Sequence, residues 1–141
     1  MAIYLDTSVL VSVYVPESHS SRILKLLQQS KTRPHLSRLT ETEFFSTLAA
    51  KKRTKELSPS EFNAITELFQ RHIAELQYDQ AHITDATFET AIEFLRRSKS
   101  NLRTLDALHL ACSANIKSTL ITADKILAKS ATELGVANQL I

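Results

Sequence analysis

Short apolar runs alternate along this chain with longer segments of helical periodicity, and that alternation limits the possible folds more than any other feature. Residues 3–6, 34–37, 78–84, 119–122 and 136–138 read as strands. Between them, residues 7–14 form a helical stretch ended by Pro16, and residues 20–29 place Ile23, Leu24 and Leu27 on one face. A further helix carries Glu43, Phe44 and Leu48. Ser58-Pro59-Ser60-Glu61 puts Ser at the N-cap, Pro at the first helical position and Glu at the third, a capping box. Phe62, Ile65, Phe69, Ile73 and Leu76 follow it at helical spacing. Residues 85–97 and 124–134 predict two more helices, and Leu105, Leu108 and Cys112 form the apolar stripe of another. Strands alternating with helices predict an α/β domain around a small parallel sheet. At 141 residues, 43% hydrophobic and 23% charged, the chain has the size and core content of one domain spanning residues 1–141.

Composition removes several chemistries. The single glycine, Gly135, leaves no Gly-rich phosphate loop, so phosphate must be recognised by cations, a metal or helix ends. The lone cysteine, Cys112, rules out a disulfide framework and a thiolate metal cluster and fits a reducing cytoplasm. No apolar run is long enough to span a bilayer, and the first one, broken by Asp6 and lacking a basic flank, is a poor signal peptide. A soluble, cytoplasmic protein is expected.

Within this framework four acids stand far apart: Asp6, Glu43, Asp106 and Asp124. Asp6 and Asp124 sit at or just past the carboxyl ends of predicted strands, where parallel α/β sheets bind ligands. Each acid taken singly has an ordinary explanation as a helix cap or first-turn carboxylate. Together they suggest a pocket of hard oxygen donors, since clustered carboxylates repel unless a cation neutralises them. One Mg²⁺ or Mn²⁺ ion, or two about 4 Å apart, would polarise a phosphate and lower the pKa of an attacking water. Thr7, Ser8 and Thr122 flank the acids as candidate orienting groups, with simple capping as the competing reading. Glu41 competes with Glu43, because residues two apart on a helix point to nearly opposite sides and Glu41 lies nearer the apolar stripe. His109 shares the neighbourhood of Asp106 but reads as a satisfied core histidine, and Cys112 as packing.

Charge adds a nucleic-acid expectation. The chain carries 17 basic and 15 acidic residues; without the four site acids the balance is 17 against 15 − 4 = 11, or +6. Lys51, Lys52, Arg53 and Lys55 form one basic cluster, and Arg96, Arg97, Lys99 and Arg103 another. Such clusters attract phosphate backbones by counterion release, or else simply offset helix dipoles in solvent.

Four local contexts carry a family resemblance: Tyr4-Leu5-Asp6-Thr7-Ser8-Val9-Leu10, Thr42-Glu43-Phe44, the run from Leu102-Arg103-Thr104-Leu105-Asp106-Ala107-Leu108 through His109-Leu110-Ala111, and Leu120-Ile121-Thr122-Ala123-Asp124-Lys125. In this order and spacing the chain resembles PIN-domain proteins over essentially its whole length, and among them the small VapC-type toxins. The resemblance implies a three-layer domain and an Mg²⁺- or Mn²⁺-dependent endoribonuclease with Asp6, Glu43, Asp106 and Asp124 as its metal-binding, catalytic acids. It also implies an RNA substrate, a homodimer and a cognate antitoxin. An RNA-processing PIN nuclease outside a toxin–antitoxin pair, or a catalytically silent RNA-binding module, is the alternative. A haloacid-dehalogenase-type phosphatase is disfavoured, because the position two residues after Asp6 is Ser8 instead of a second Asp.

Overall fold

The computed structural model describes residues 1–141. Five strands form one sheet: β1 (Ile3–Leu5), β2 (His35–Leu36), β3 (Asp79–Gln80), β4 (Thr119–Thr122) and β5 (Asn138–Leu140), in the order β3-β2-β1-β4-β5. Every pairing is parallel, with Leu5 opposite Ile121 at the centre. Seven helices connect them: α1 (Thr7–Tyr14), α2 (Ser20–Gln29), α3 (Arg38–Arg53), α4 (Pro59–Ala74), α5 (Asp85–Arg97), α6 (Thr104–Asn115) and α7 (Lys125–Glu133).

Alternation along the central strands produces the layers. Tyr4 and Leu120 point into a core shared with α5, α6 and α7, through Phe94, Leu110 and Ala131. Ile3, Leu5 and Ile121 point the other way, against Val9, Ile23, Leu48 and Phe69 of α1 to α4. Side chains on successive strand residues face opposite sides, so a strand buried on both faces is apolar throughout, as β1 is. Phe44 and Phe69 anchor the second core with ring centroids 4.4 Å apart. Tyr14 closes it by bonding His72 Nδ1 and the Tyr78 hydroxyl, each at 2.7 Å.

Most predicted elements are present, with instructive shifts. Ser58 accepts from the Glu61 N–H while the Glu61 carboxylate accepts from the Ser58 N–H, so the capping box starts α4 as expected. The third strand is only Asp79–Gln80, and the last lies at Asn138–Leu140 instead of 136–138. Val136 is instead part of the turn after α7, where Gly135 (φ +74°) adopts the left-handed conformation that glycine takes most readily. Leu24 is exposed, leaving Ile23 as the buried contact of α2. Leu76 falls past the end of α4 in a left-handed turn (φ 57°), also exposed. On α6 the stripe of Leu105, Leu108 and Cys112 is too narrow a description: Leu105 is exposed, and residues 107–113 are buried on every side. A helix that passes through the middle of a domain has no polar face for periodicity to reveal.

Candidate active site

In sheet order, the chain moves outward from β1 to β2 and β3, then returns to the other side of β1 with β4 and β5. The reversal lies between β1 and β4, and the crevice beyond their carboxyl ends is where such sheets bind ligands. Asp6 follows β1 and Asp124 follows β4. Glu43 enters from the second turn of α3, and Asp106 from the first turn of α6.

Asp6 is buried and held from three directions. Its Oδ1 accepts from Ser8 Oγ (2.7 Å) and from the Val9 N–H (3.0 Å), capping α1, while Thr122 Oγ1 donates to Oδ2. Burial raises its pKa, against the pull of these donors. Asp124 caps α7, with Oδ1 accepting from the N–H groups of Ile126 (2.8 Å) and Leu127 (3.1 Å). Its own N–H donates to Thr122 Oγ1 at 3.0 Å, so one buried hydroxyl links the two strand-end acids. Capping and site-building are therefore the same interaction at both positions.

Glu43 Oε1 accepts from Thr7 Oγ1 (3.0 Å) and lies 2.5 Å from His109 Nε2. Burial alone would raise its pKa, but the His109 and Thr7 contacts outweigh that and hold the carboxyl below its usual range. Glu41 turns elsewhere: it pairs with Arg38 at 2.6 Å and lines a separate cleft with Phe45 and Phe69. Asp106 makes no hydrogen bond. It is partly buried, and burial together with the negative charge of Asp124, then of Glu43 and Asp6, pushes its carboxyl up. That mutual influence places the four acids around one region.

The arrangement is an open ring and not the tight cage the sequence suggests. No three acidic or histidine side chains stand within common coordinating reach of a single point. The physical reason is visible in the bonding: three of the carboxylates are satisfied by hydroxyls, N–H groups or imidazole, which stabilise negative charge, whereas closer approach of the acids would add repulsion. The donor set still fits a hard divalent ion, because Mg²⁺ keeps several waters and takes only one or two direct carboxylates. Asp106 has no hydrogen-bond partner and is crowded by like charge, so both of its oxygens are free of protein donors.

A cleft of about 540 Å³ opens beside the ring, lined by Thr7, Ser8, Glu43, Thr47, Lys51 and Leu105 among others. A larger one of about 700 Å³ contains none of the four acids. Lys51 stands in the wall of the site cleft and bonds Glu56 at 3.0 Å, while Lys52 lies over the Phe62 ring. Sequence reasoning undervalued His109. Its burial matches a core histidine, but one of its two partners is a site acid, and only the fold brings them together.

A family model described as the PIN domain matches residues 3–132. A search of curated proteins finds no match. Among solved structures, FitAcB from Neisseria gonorrhoeae superposes with a TM-score of 0.76 at 19% identity, covering 96% of this chain and 95% of that one. VapC20 of Mycobacterium tuberculosis, a sarcin-ricin loop cleaving toxin, gives 0.69 at 16% identity, with 91% and 94% covered. A toxin–antitoxin complex from Klebsiella pneumoniae gives 0.60 at 18%, with 91% of each chain covered. At these identities the likeness concerns the fold. The family model, spanning nearly the whole chain and all four acids, establishes that this protein belongs to the PIN-domain family.

Proposed function

We propose that this chain is a divalent-metal-dependent endoribonuclease and the toxin of a toxin–antitoxin pair. The observation that carries the reading is Asp106: a carboxylate without a hydrogen-bond partner, at the mouth of a parallel sheet, raised by burial and by three other acids. A domain tolerates such a group when a cation is to share it. Asp6, Glu43, Asp106 and Asp124 would hold Mg²⁺ or Mn²⁺, which when bound supplies Lewis-acid polarisation of a phosphate and a water of lowered pKa.

The remaining work falls to the chain itself. Ser8 and Thr122 orient both oxygens of Asp6, Thr7 and His109 orient Glu43, and the N-terminus of α7 fixes Asp124. Lys51, beside the cleft, is placed to meet an RNA phosphate, and Arg96, Arg97, Lys99 and Arg103 are exposed around the approach to α6. Exposed Phe88 and Ile92 on α5 supply apolar surface for the homodimer and antitoxin contacts that the toxin reading includes. The named toxin and toxin–antitoxin complex among the fold neighbours support the same reading.

The test is cleavage of single-stranded and loop RNA by purified protein with and without added Mg²⁺ or Mn²⁺. Metal-dependent cleavage that Asp6→Asn abolishes, with the fold retained, is expected. Equal cleavage by both proteins rejects the assignment. RNA binding without turnover in any divalent ion identifies a silent module instead. Growth arrest on expression, relieved by a neighbouring small gene, separates a toxin from a housekeeping nuclease.

A further inference from the structure

The His109 ring is almost completely buried, and both of its nitrogens are used. Nε2 lies 2.5 Å from Glu43 Oε1, and Nδ1 lies 2.8 Å from the Tyr4 hydroxyl. That hydroxyl is in turn 2.8 Å from Ser37 Oγ and 3.0 Å from Thr40 Oγ1. Strand β1, the start of α3 and the middle of α6 are thus joined through one polar thread inside an apolar core.

The protons in this thread have a definite direction. An ionised Glu43 can only accept, so Nε2 must carry hydrogen and donate to it. Nδ1, on the other side of the ring, lies 2.8 Å from the Tyr4 hydroxyl, which can donate to it. Burial keeps the Tyr4 phenol protonated, as that role requires. The Tyr4 oxygen, having given its hydrogen to the ring, accepts from Ser37 or Thr40. Each member sets the orientation of the next, ending at Glu43.

The effect at Glu43 is selective. Oε1 is held twice, by Thr7 and His109, while Oε2 has no protein partner. A glutamate is otherwise a flexible side chain that loses rotamer entropy on being fixed. Groups that orient a metal-binding carboxylate in advance raise its effectiveness without touching the reactants.

We propose that His109, held in its Nε2–H tautomer by Tyr4, is the positioning residue that fixes Glu43 through Oε1 and leaves Oε2 free of protein partners. The proposal rests on the nuclease reading only where activity is measured. The first test is ¹⁵N NMR of the His109 imidazole in the full-length protein. A protonated Nε2 with an unprotonated Nδ1 is expected, and the opposite tautomer overturns the proposal. The second is Mn²⁺ affinity, with kcat and KM for RNA, in His109→Leu, His109→Gln and Tyr4→Phe. His109→Leu is expected to lose about 10- to 100-fold in Mn²⁺ affinity and in kcat, with KM unchanged. His109→Gln keeps an N–H that reaches Glu43 and recovers most of the loss; Tyr4→Phe falls between. His109→Gln no better than His109→Leu, or parental Mn²⁺ affinity in all three, overturns it. If His109→Leu does not fold, Tyr4→Phe and the tautomer decide. A parent that binds Mn²⁺ but cleaves no RNA defeats the nuclease reading, while the affinity series still judges His109.

Discussion

Replacing Asp106 by Asn removes a charge from a partly buried carboxyl that has no donor and faces Asp124, Glu43 and Asp6. Its folded pKa lies above the unfolded value, so protonation favours the native state. Below the ordinary carboxylate range the group is neutral in both states and adds no strain. As pH rises through the folded pKa that relative stability is lost, and at pH 7 the native state carries the whole penalty. Solvent screens the like-charge repulsion in this half-open site, so the expected gain of Asp106→Asn is that of a partly exposed charge interaction, up to about 1 kcal/mol. In a domain of this size that raises Tm by about 2–4 °C at neutral pH. Calorimetric melting of parent and variant at pH 7 and pH 3 measures it, and the difference should vanish at the lower pH. Saturating Mn²⁺ should reverse the ranking, adding about 2.7 kcal/mol to the parent at one hundred times Kd and little to the variant. A variant less stable than the parent at pH 7, or an advantage that ignores pH, refutes this electrostatic account.

Other perturbations test other links. Thr122→Val keeps the shape but removes the hydroxyl that donates to buried Asp6, and should destabilise by about 1–3 kcal/mol in denaturant unfolding. Leu76→Gly relieves a left-handed residue of little packing value and should stabilise by about 0.5–1 kcal/mol in the same assay, the relieved strain exceeding the added unfolded-state entropy. Reversing the charges of Lys51, Lys52 and Arg53 should weaken RNA binding and flatten log K against log salt by about 0.7 for each lost phosphate contact. An unchanged slope would return this cluster to ordinary solvated surface.

Where local chemistry decides structure, the residues announced it. The capping box at Ser58 and Glu61, the caps at Asp6 and Asp124, and the apolar β1 and β4 strands each depend on neighbours a few positions away. The PIN assignment rested on four such contexts together. What escaped depends on distant partners. Two-residue strands such as Asp79–Gln80 are too short for any periodicity, and their extent follows from what lies beside them. Leu24 and Leu105 face solvent because the fold brings nothing over them. Spacing alone did not separate Glu43 from Glu41; the contacts that Glu43 makes come from Thr7 and His109, 36 and 66 positions away. His109 looked inert because an apolar helix hides which neighbour a buried imidazole will meet.

The central position of β1 has a consequence for how such a protein is made. Its partner β4 begins at Thr119, and the Thr122 hydroxyl that secures Asp6 comes 116 residues later in the chain. Contacts of such long range form late and slow folding. A ribosome must therefore release the chain through residue 122 before the first strand is paired on that side and the four carboxylates can assemble. Nascent chains and truncations ending before β4 carry the first three acids of the ring without the frame that gathers them, so any cutting activity would arrive only once β4 has joined the sheet.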